Sequence, residues 1–170
     1  MKEVLSKEEL QSRISDLATV ISETESNNFT PVVFVGILNG AFMFFSDLVK
    51  KITVPIEIDF VHLKSYDGRI KDRNNIRFTA DLSVDIKGKH VYLVDDIIDS
   101  GHTMKFVADT FLERGATKVT PVTTILKENV VTPEALCILR YPQDSPWFIG
   151  YGMDREDGTC RNIETIIEVE

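Results

Sequence analysis

The sequence has few of the residues that stabilise or anchor secreted, metal-binding and membrane proteins. Its 170 residues include two cysteines, Cys137 and Cys160, which form neither a metal-ligand spacing nor a disulfide framework. The first nine residues lack an apolar signal core, and no apolar run approaches the roughly 20 residues needed to span a bilayer. We therefore expect a cytoplasmic protein that has no membrane segment and whose thiols are buried or idle.

Positive charge is also scarce. Lysine and arginine total 19 against 27 acidic residues, which gives a net charge of −8. Nucleic-acid binders draw much of their affinity from neutralising phosphates, so this balance argues against a nucleic-acid partner. Neither Gly-x-x-x-x-Gly-Lys nor Gly-x-Gly-x-x-Gly occurs, which leaves kinase, GTPase and dinucleotide-binding functions without support. The length and the 43% apolar content suit one globular domain, which we place at residues 1–170.

The most informative stretch runs from His90 to Thr103 and reads HVYLVDDIIDSGHT. Its apolar run from Val91 to Val94 is typical of a strand that is buried on both faces of a parallel sheet. After Thr103 the apolar residues recur at helical spacing, which predicts a helix that begins at about His102 or Thr103 and ends near Gly115. In open α/β sheets, ligands bind at the carboxyl ends of strands, so this junction is a candidate site.

The residue types at this junction suit a phosphorylated ribose. Ser100 and Thr103 offer hydroxyls, Gly101 lets the backbone approach a ligand, and the next helix directs its free amides at the loop. These groups favour a phosphate. Asp95 and Asp96 stand at the strand end, where carboxylates accept hydrogen bonds from sugar hydroxyls or hold a divalent metal.

The flanking segments predict an α/β fold. A capping box of Ser6 and Glu9 begins a first helix. A buried strand at residues 31–35, the loop 36–40 and a helix at residues 41–50 form either a second phosphate-binding arrangement or a plain turn. Further strands are predicted at residues 56–61, 76–78, 118–126, 135–139 and 165–169. Alternating strands and helices indicate a mostly parallel sheet with helices on both faces.

The stretch VYLVDDIIDSGHT resembles the phosphoribosyl pyrophosphate-binding motif of the type I phosphoribosyltransferases. Its Ile-Ile-Asp-Ser-Gly part is similar to that of the 6-oxopurine branch, the hypoxanthine-guanine phosphoribosyltransferases. The resemblance covers most of residues 30–165. It implies Mg²⁺-dependent transfer of a 5-phosphoribosyl group from phosphoribosyl pyrophosphate to a purine base, which yields IMP or GMP and pyrophosphate in purine salvage. It also implies a small hood formed by the N- and C-terminal segments, and a homodimer or homotetramer.

The resemblance assigns roles to the acidic strand end and to the loops. Asp99 would be the general base or hydrogen-bond acceptor at the purine imidazole nitrogen, and Asp95 and Asp96 would bind the ribose hydroxyls and magnesium. The rest of the ribose-phosphate site would be Ser100, Gly101, His102 and Thr103. Pyrophosphate would contact Leu38, Asn39, Gly40, Ser65, Tyr66 and Arg161. The family also has a cis peptide at the equivalent of Leu38–Asn39, and many members have a basic residue where this chain has Asn39.

The base would be read by residues far apart in the sequence. By resemblance, Lys127 donates to the 6-oxo group and so separates hypoxanthine and guanine from adenine. Trp147 would stack on the purine, Phe148 would supply backbone contacts and Ile97 would pack below the base. Asp154 would contact the base and ligate a second magnesium. Taken as residue types alone, Lys127 suits a solvated strand end, and Trp147 and Phe148 suit an ordinary core.

Three alternatives stay open at this point. The same fold can transfer to another base, such as xanthine, adenine, orotate or uracil. A non-catalytic regulator on this fold would sense nucleotides or bind RNA, although the net charge of −8 disfavours RNA. A phospho-acceptor receiver domain also uses clustered aspartates, but its acidic pair follows the first strand. Here the pair lies past the midpoint and leads into a phosphate loop.

Overall fold

The computed structural model describes residues 1–65, 76–132, 134–145 and 147–169. Over these residues, strands and helices alternate along the chain and form a larger and a smaller sheet. The elements in chain order are β1 (Lys2–Leu5), α1 (Lys7–Glu25), β2 (Val32–Leu38), α2 (Phe42–Val49), β3 (Ile56–Ser65), β4 (Ile76–Ala80), β5 (His90–Ile98), α3 (His102–Glu113), β6 (Lys118–Lys127), β7 (Leu136–Tyr141), β8 (Trp147–Ile149) and β9 (Ile166–Val169).

The larger sheet has the strand order β4-β3-β2-β5-β6-β7. Its neighbouring strands are parallel except for β4, which pairs antiparallel with β3 at one edge. The mostly parallel sheet predicted from the sequence is therefore confirmed. From the central pair β2 and β5 the chain winds outwards in both directions. The loops that follow these two strands thus diverge and leave a crevice at their carboxyl ends.

Helices cover both faces of this sheet, as the sequence predicts. Helix α1 begins with the predicted capping box, in which the Ser6 hydroxyl accepts from the Glu9 amide at 3.2 Å and the Ser6 amide donates to the Glu9 carboxylate at 2.9 Å. Helices α1 and α2 pack on the face that carries Phe34 and Tyr92, whereas α3 packs on the face that carries Val35 and Leu93. The alternation of side chains along β2 and β5 thus fills two separate cores.

The smaller sheet has the order β1-β9-β8, and its strands pair antiparallel. Together with the segment between β8 and β9, this sheet forms the hood that the family resemblance implies for the N- and C-terminal segments. Strand β1 was not expected, because Lys2–Leu5 has only four residues and shows no clear alternation. Helix α1 lies against α2 and β7, so it is part of the main body.

His90 and its neighbours form a polar cluster at the start of β5, at the opposite end of this strand from the candidate site. His90 contacts the Glu25 carboxylate through Nδ1 at 2.7 Å and the Thr120 hydroxyl through Nε2 at 2.8 Å. Burial lowers the pKa of His90 despite the attraction of Glu25. A neutral ring that donates to Glu25 and accepts from Thr120 satisfies all of these groups. The cluster therefore has a structural role.

The state of the two cysteines and the character of the helices bear on the expected cellular location. Cys137 and Cys160 are both free and partly buried. In the part of the chain that the structure describes, no helix has the length and apolar character needed to cross a membrane.

Candidate active site

The predicted phosphate loop lies between β5 and α3. Gly101 caps α3 with φ 77°, a left-handed conformation that side chains rarely adopt. A β-carbon at this position would also lie 3.0 Å from the Val130 side chain. No side chain caps the helix, so its first amides face the loop. A small cavity of about 100 Å³ opens here, lined by Asp95, Ile97, Ile98, Asp99, Ser100, Gly101, Thr103 and Met104.

Asp95 and Asp96 stand side by side at the end of β5, both half-buried. The Asp95 carboxylate accepts from the Asp96 amide at 2.9 Å, and the Asp96 carboxylate accepts from the Ile97 amide at 2.7 Å. Burial and the neighbouring Asp96 charge raise the pKa of Asp95 well above its usual range, and burial also raises the pKa of Asp96. Two crowded carboxylates of this kind are stabilised by a cation or by hydroxyl donors.

The loop after β2 meets this acidic pair. The peptide between Leu38 and Asn39 is cis, as the resemblance implies. A β-carbon on Gly40 would overlap the Asp96 carboxylate, so only glycine fits there. On its other side, a β-carbon on Gly152 would overlap the carbonyl oxygen of Gly40. The predicted pyrophosphate loop is therefore held between the acidic strand end and the hood.

Arg161 and Asp154 lie together in the hood. One guanidinium nitrogen of Arg161 donates to the Asp154 carboxylate at 2.5 Å and another donates to the Gly152 carbonyl at 2.7 Å. The Arg161 charge also acts on Asp96, where it partly offsets the effect of burial on the pKa. Arg161 thus lies near the acidic pair.

The remaining predicted pyrophosphate contacts come from the end of β3. Ser65 is the last residue of this strand, which runs parallel to β2 and so ends at the same edge of the sheet. Tyr66 lies outside the described residues, as does the rest of the segment to residue 75 that we expect to close over the site.

The predicted base-reading residues share one cavity of about 490 Å³. Lys127, the last residue of β6, is only 4% exposed, and its ammonium lies 3.9 Å from the Asp99 carboxylate. The cavity is lined by Asp96, Ile97, Asp99, Lys127, Gln143, Ser145, Trp147, Phe148, Met153 and Asp154. Its size is typical of small-molecule sites. The structure therefore brings together residues that the sequence separates by up to 58 positions, from Asp96 to Asp154.

Trp147 and Phe148 have different surroundings within this cavity. Trp147 is 58% exposed, and its indole nitrogen donates to the Asp154 carbonyl at 2.6 Å. Phe148 is buried, and its ring lies 5.5 Å from the Lys127 ammonium. The Trp147 ring is therefore exposed at the cavity, whereas the Phe148 ring belongs to the core.

Gln143, Ser145 and Met153 also line the cavity, although they are not among the predicted site residues. Gln143 and Ser145 occupy an ordinary polar turn between two strands, and such residues carry no signal of a binding role. Met153 lies between residues with assigned roles but resembles any buried apolar side chain.

Comparisons with known proteins agree with this geometry. Residues 1–155 match the family model of the phosphoribosyl transferase domain. The chain belongs to the phosphoribosyl transferase family. It is 34% identical to the hypoxanthine phosphoribosyltransferase of Haemophilus influenzae, over 89% of this chain and 86% of the relative. It is also 34% identical to the hypoxanthine-guanine phosphoribosyltransferase of Aquifex aeolicus, over 100% and 95% of the two chains.

Solved structures of phosphoribosyl transferases are similar over nearly the whole chain. The hypoxanthine phosphoribosyl transferase of Trypanosoma cruzi superposes with a TM-score of 0.90 at 26% identity and covers 99% of this chain and 91% of that one. A hypoxanthine-guanine phosphoribosyltransferase from Bacillus anthracis gives a TM-score of 0.89 at 28% identity and covers 100% and 99%. The receiver-domain alternative is therefore wrong.

Proposed function

We propose that this protein transfers a 5-phosphoribosyl group from phosphoribosyl pyrophosphate to hypoxanthine or guanine and releases pyrophosphate. One observation carries the proposal: a buried lysine ammonium and an aspartate carboxylate, Lys127 and Asp99, lie 3.9 Å apart in a cavity walled by the Trp147 ring. A 6-oxopurine offers an acceptor oxygen and an imidazole nitrogen on adjacent positions of one edge. The two side chains match these groups in charge and spacing.

The reaction breaks the bond between ribose C1 and the leaving oxygen, which builds positive charge on the sugar and negative charge on pyrophosphate. Asp95 and Asp96 hold the ribose hydroxyls at the end of β5 and place negative charge near the sugar. The 5-phosphate binds at the start of α3, to the amides and hydroxyls of Ser100, Gly101, His102 and Thr103. Asp99 then accepts the proton from the incoming base.

Pyrophosphate occupies the crevice between the loop after β2 and the hood. Asn39 and Gly40 bind it through their backbone amides, and Arg161 supplies the positive charge that Asn39 lacks. We include Leu38, Ser65 and Tyr66 in this subsite because of the family resemblance.

Magnesium fits the acidic pair. The described residues contain no group of three histidine, cysteine or acidic side chains that could hold a metal by themselves. Mg²⁺ commonly uses one or two carboxylates together with substrate phosphates, which is what Asp95 and Asp96 offer. When bound, it would neutralise charge on the leaving pyrophosphate. Asp154 could ligate a second ion if its carboxylate leaves Arg161.

The test is pyrophosphate release with Mg²⁺, phosphoribosyl pyrophosphate and one base at a time: hypoxanthine, guanine, xanthine or adenine. We expect turnover with hypoxanthine or guanine, and its loss in Asp99→Asn and Lys127→Ala. Turnover with adenine alone would overturn the role of Lys127. Absence of turnover with every base, together with tight binding of phosphoribosyl pyrophosphate, would favour the nucleotide-sensing regulator.

The assembly and location follow the same resemblance. We propose a homodimer or homotetramer in the cytoplasm, which binds neither membrane nor nucleic acid. Sedimentation equilibrium of the purified chain separates these two states from a monomer.

A further inference from the structure

The Lys127 ammonium is surrounded by acceptors from a single short turn. It donates to the backbone carbonyls of Gln143 at 3.3 Å and Ser145 at 3.1 Å, and it also contacts the Ser145 hydroxyl. An ammonium group has three donor hydrogens. The contact to the Gln143 carbonyl, at 3.3 Å, is the longest of the three, so an acceptor on the base can replace it while the two Ser145 contacts hold the ammonium in place. A buried charge requires such partners.

The turn is fixed to the end of β6 by the backbone. Lys127 pairs with Tyr141 across β6 and β7, and the Glu128 amide donates to the Tyr141 carbonyl at 2.8 Å. The Ser145 amide then closes the turn by donating to the Pro142 carbonyl at 3.2 Å. The two carbonyls are therefore held by the fold, whereas the Ser145 hydroxyl is the one side-chain contact of the three.

A competing partner lies within reach of the ammonium. The Asp99 carboxylate is 3.9 Å from Lys127 Nζ, about 1 Å beyond a charge-assisted hydrogen bond. If Lys127 closed this gap, the two charged groups would satisfy each other and neither would be free for the base. The Ser145 hydroxyl contacts the same ammonium and so restrains it beside the 143–145 turn.

We propose that Ser145 is a specificity-determining positioning residue, which restrains the Lys127 ammonium from pairing with Asp99 and so keeps it available to the 6-substituent of the base. The inference rests on the proposed function. Discrimination at the 6-position then depends on Lys127 and Ser145 together. The Lys127 ammonium reaches the 6-substituent only in the position that the Ser145 hydroxyl maintains. Ser145 acts through Lys127 and has no part in the chemical step.

The test compares Ser145→Ala with the unchanged protein in the pyrophosphate-release assay. We expect the KM for hypoxanthine to rise roughly tenfold or more, the loss typical of one hydrogen bond to a charged group. The KM for phosphoribosyl pyrophosphate stays within about twofold, because Ser145 lines the base cavity and does not line the cavity at the phosphate loop. The inhibition constant of adenine falls or stays constant, since a displaced lysine no longer opposes a 6-amino group.

Two further variants control for folding. Ser145→Thr keeps the hydroxyl and is expected to restore the KM for hypoxanthine to near that of the unchanged protein. Asp144→Ala alters the exposed neighbour in the same turn and is expected to leave both KM values unchanged.

The outcomes separate this inference from the proposed function. If the unchanged protein fails to use any 6-oxopurine, the proposed function fails first. If it turns over hypoxanthine and Ser145→Ala leaves that KM within about twofold, the inference alone is overturned. A lower KM for hypoxanthine would show that the hydroxyl competes with the base, and equal increases in both KM values would show a merely structural role; either result overturns it.

Discussion

The phenol of Tyr151 donates a 2.8 Å hydrogen bond to the carboxylate of Asp47, which joins the hood to helix α2. Tyr151 is only 3% exposed. Asp47 also accepts from Gln11 at 2.7 Å and Lys50 at 2.8 Å. Burial raises the pKa of Asp47, but these hydrogen bonds outweigh it and the pKa is lowered overall. The next residue after Tyr151 is Gly152, which abuts Gly40 in the predicted pyrophosphate loop, so this bond positions the hood beside that loop.

We expect Tyr151→Phe to raise the KM for phosphoribosyl pyrophosphate several-fold and to lower the free energy of unfolding by about 1 kcal/mol, the usual contribution of one hydrogen bond. Urea unfolding and steady-state kinetics measure the two effects. Tyr141→Phe is the matched control, because its phenol donates at 2.9 Å to Glu168 in the hood, away from Gly152. Equal changes in this KM for both variants would contradict the positioning role.

The lack of space at Gly40 predicts that its replacement lowers activity more than it lowers stability. In Gly40→Ala, the new methyl group collides with the Asp96 carboxylate and forces either the loop or the carboxylate to move. A displacement of about 1 Å at a reacting centre can cost roughly 100-fold in rate, and we expect a loss of kcat/KM of that order.

Gly88→Ala is the control for this substitution. Gly88 has φ 73° and nothing within 4 Å of an added β-carbon, so its replacement strains the backbone without touching the site. We expect Gly88→Ala to lower the melting temperature with kcat/KM unchanged. Full activity in Gly40→Ala would contradict the close contact with Asp96.

Asp59 predicts a pH dependence of stability. Its carboxylate accepts from the amides of Phe60, Ser83 and Val84 at 2.8, 2.6 and 3.0 Å. Burial raises the pKa of Asp59, but these hydrogen bonds outweigh it and the folded-state pKa lies below the unfolded value. The stabilisation is therefore present above the unfolded pKa, about 3.9, and is lost as the pH falls through the lower folded value.

Asp59→Ala should consequently destabilise the protein by about 2 kcal/mol at pH 7 and by less at pH 3. Urea unfolding of both proteins at several pH values gives the difference. A difference that stays constant down to pH 3 would contradict the assignment.

The acidic pair predicts opposite effects on stability and on binding. The two carboxylates repel each other in the absence of ligand, and the Asp96 charge raises the pKa of Asp95. We expect Asp95→Asn to leave the melting temperature equal or higher, while it weakens Mg²⁺-dependent binding of phosphoribosyl pyrophosphate by roughly tenfold. Calorimetric titration with Mg²⁺ and with chelator measures the binding. Unaltered affinity in Asp95→Asn would remove this residue from the site.

The sequence predicts those parts of the site that are contiguous. The site residues from Asp95 to Thr103 can be predicted from their own stretch of sequence, because a strand, a loop and a helix start each have a local pattern. Lys127 and Trp147, which line one cavity, are predicted as site residues through the family resemblance alone, since nothing local separates them from a strand-end lysine and a core aromatic.

Contacts between distant segments are not predictable in this way. Tyr151 and Asp47 are 104 positions apart, and each has an ordinary residue type for its element. The need for glycine at position 40 becomes visible only when Asp96 is in place beside it. The role of Ser145 cannot be predicted for a similar reason, because a serine in a turn is already explained by the turn itself.

Gly40 and Gly152 meet backbone to backbone, and this has a consequence for how such an enzyme can diversify. The contact between Gly40 and Gly152 contains no side chain, so substitutions in the 143–147 segment leave it in place. Positions 143, 145 and 147 can therefore change during evolution while the loop after β2 keeps its position. The fold thus separates side chains that can change to accept other bases from a glycine contact that tolerates no change.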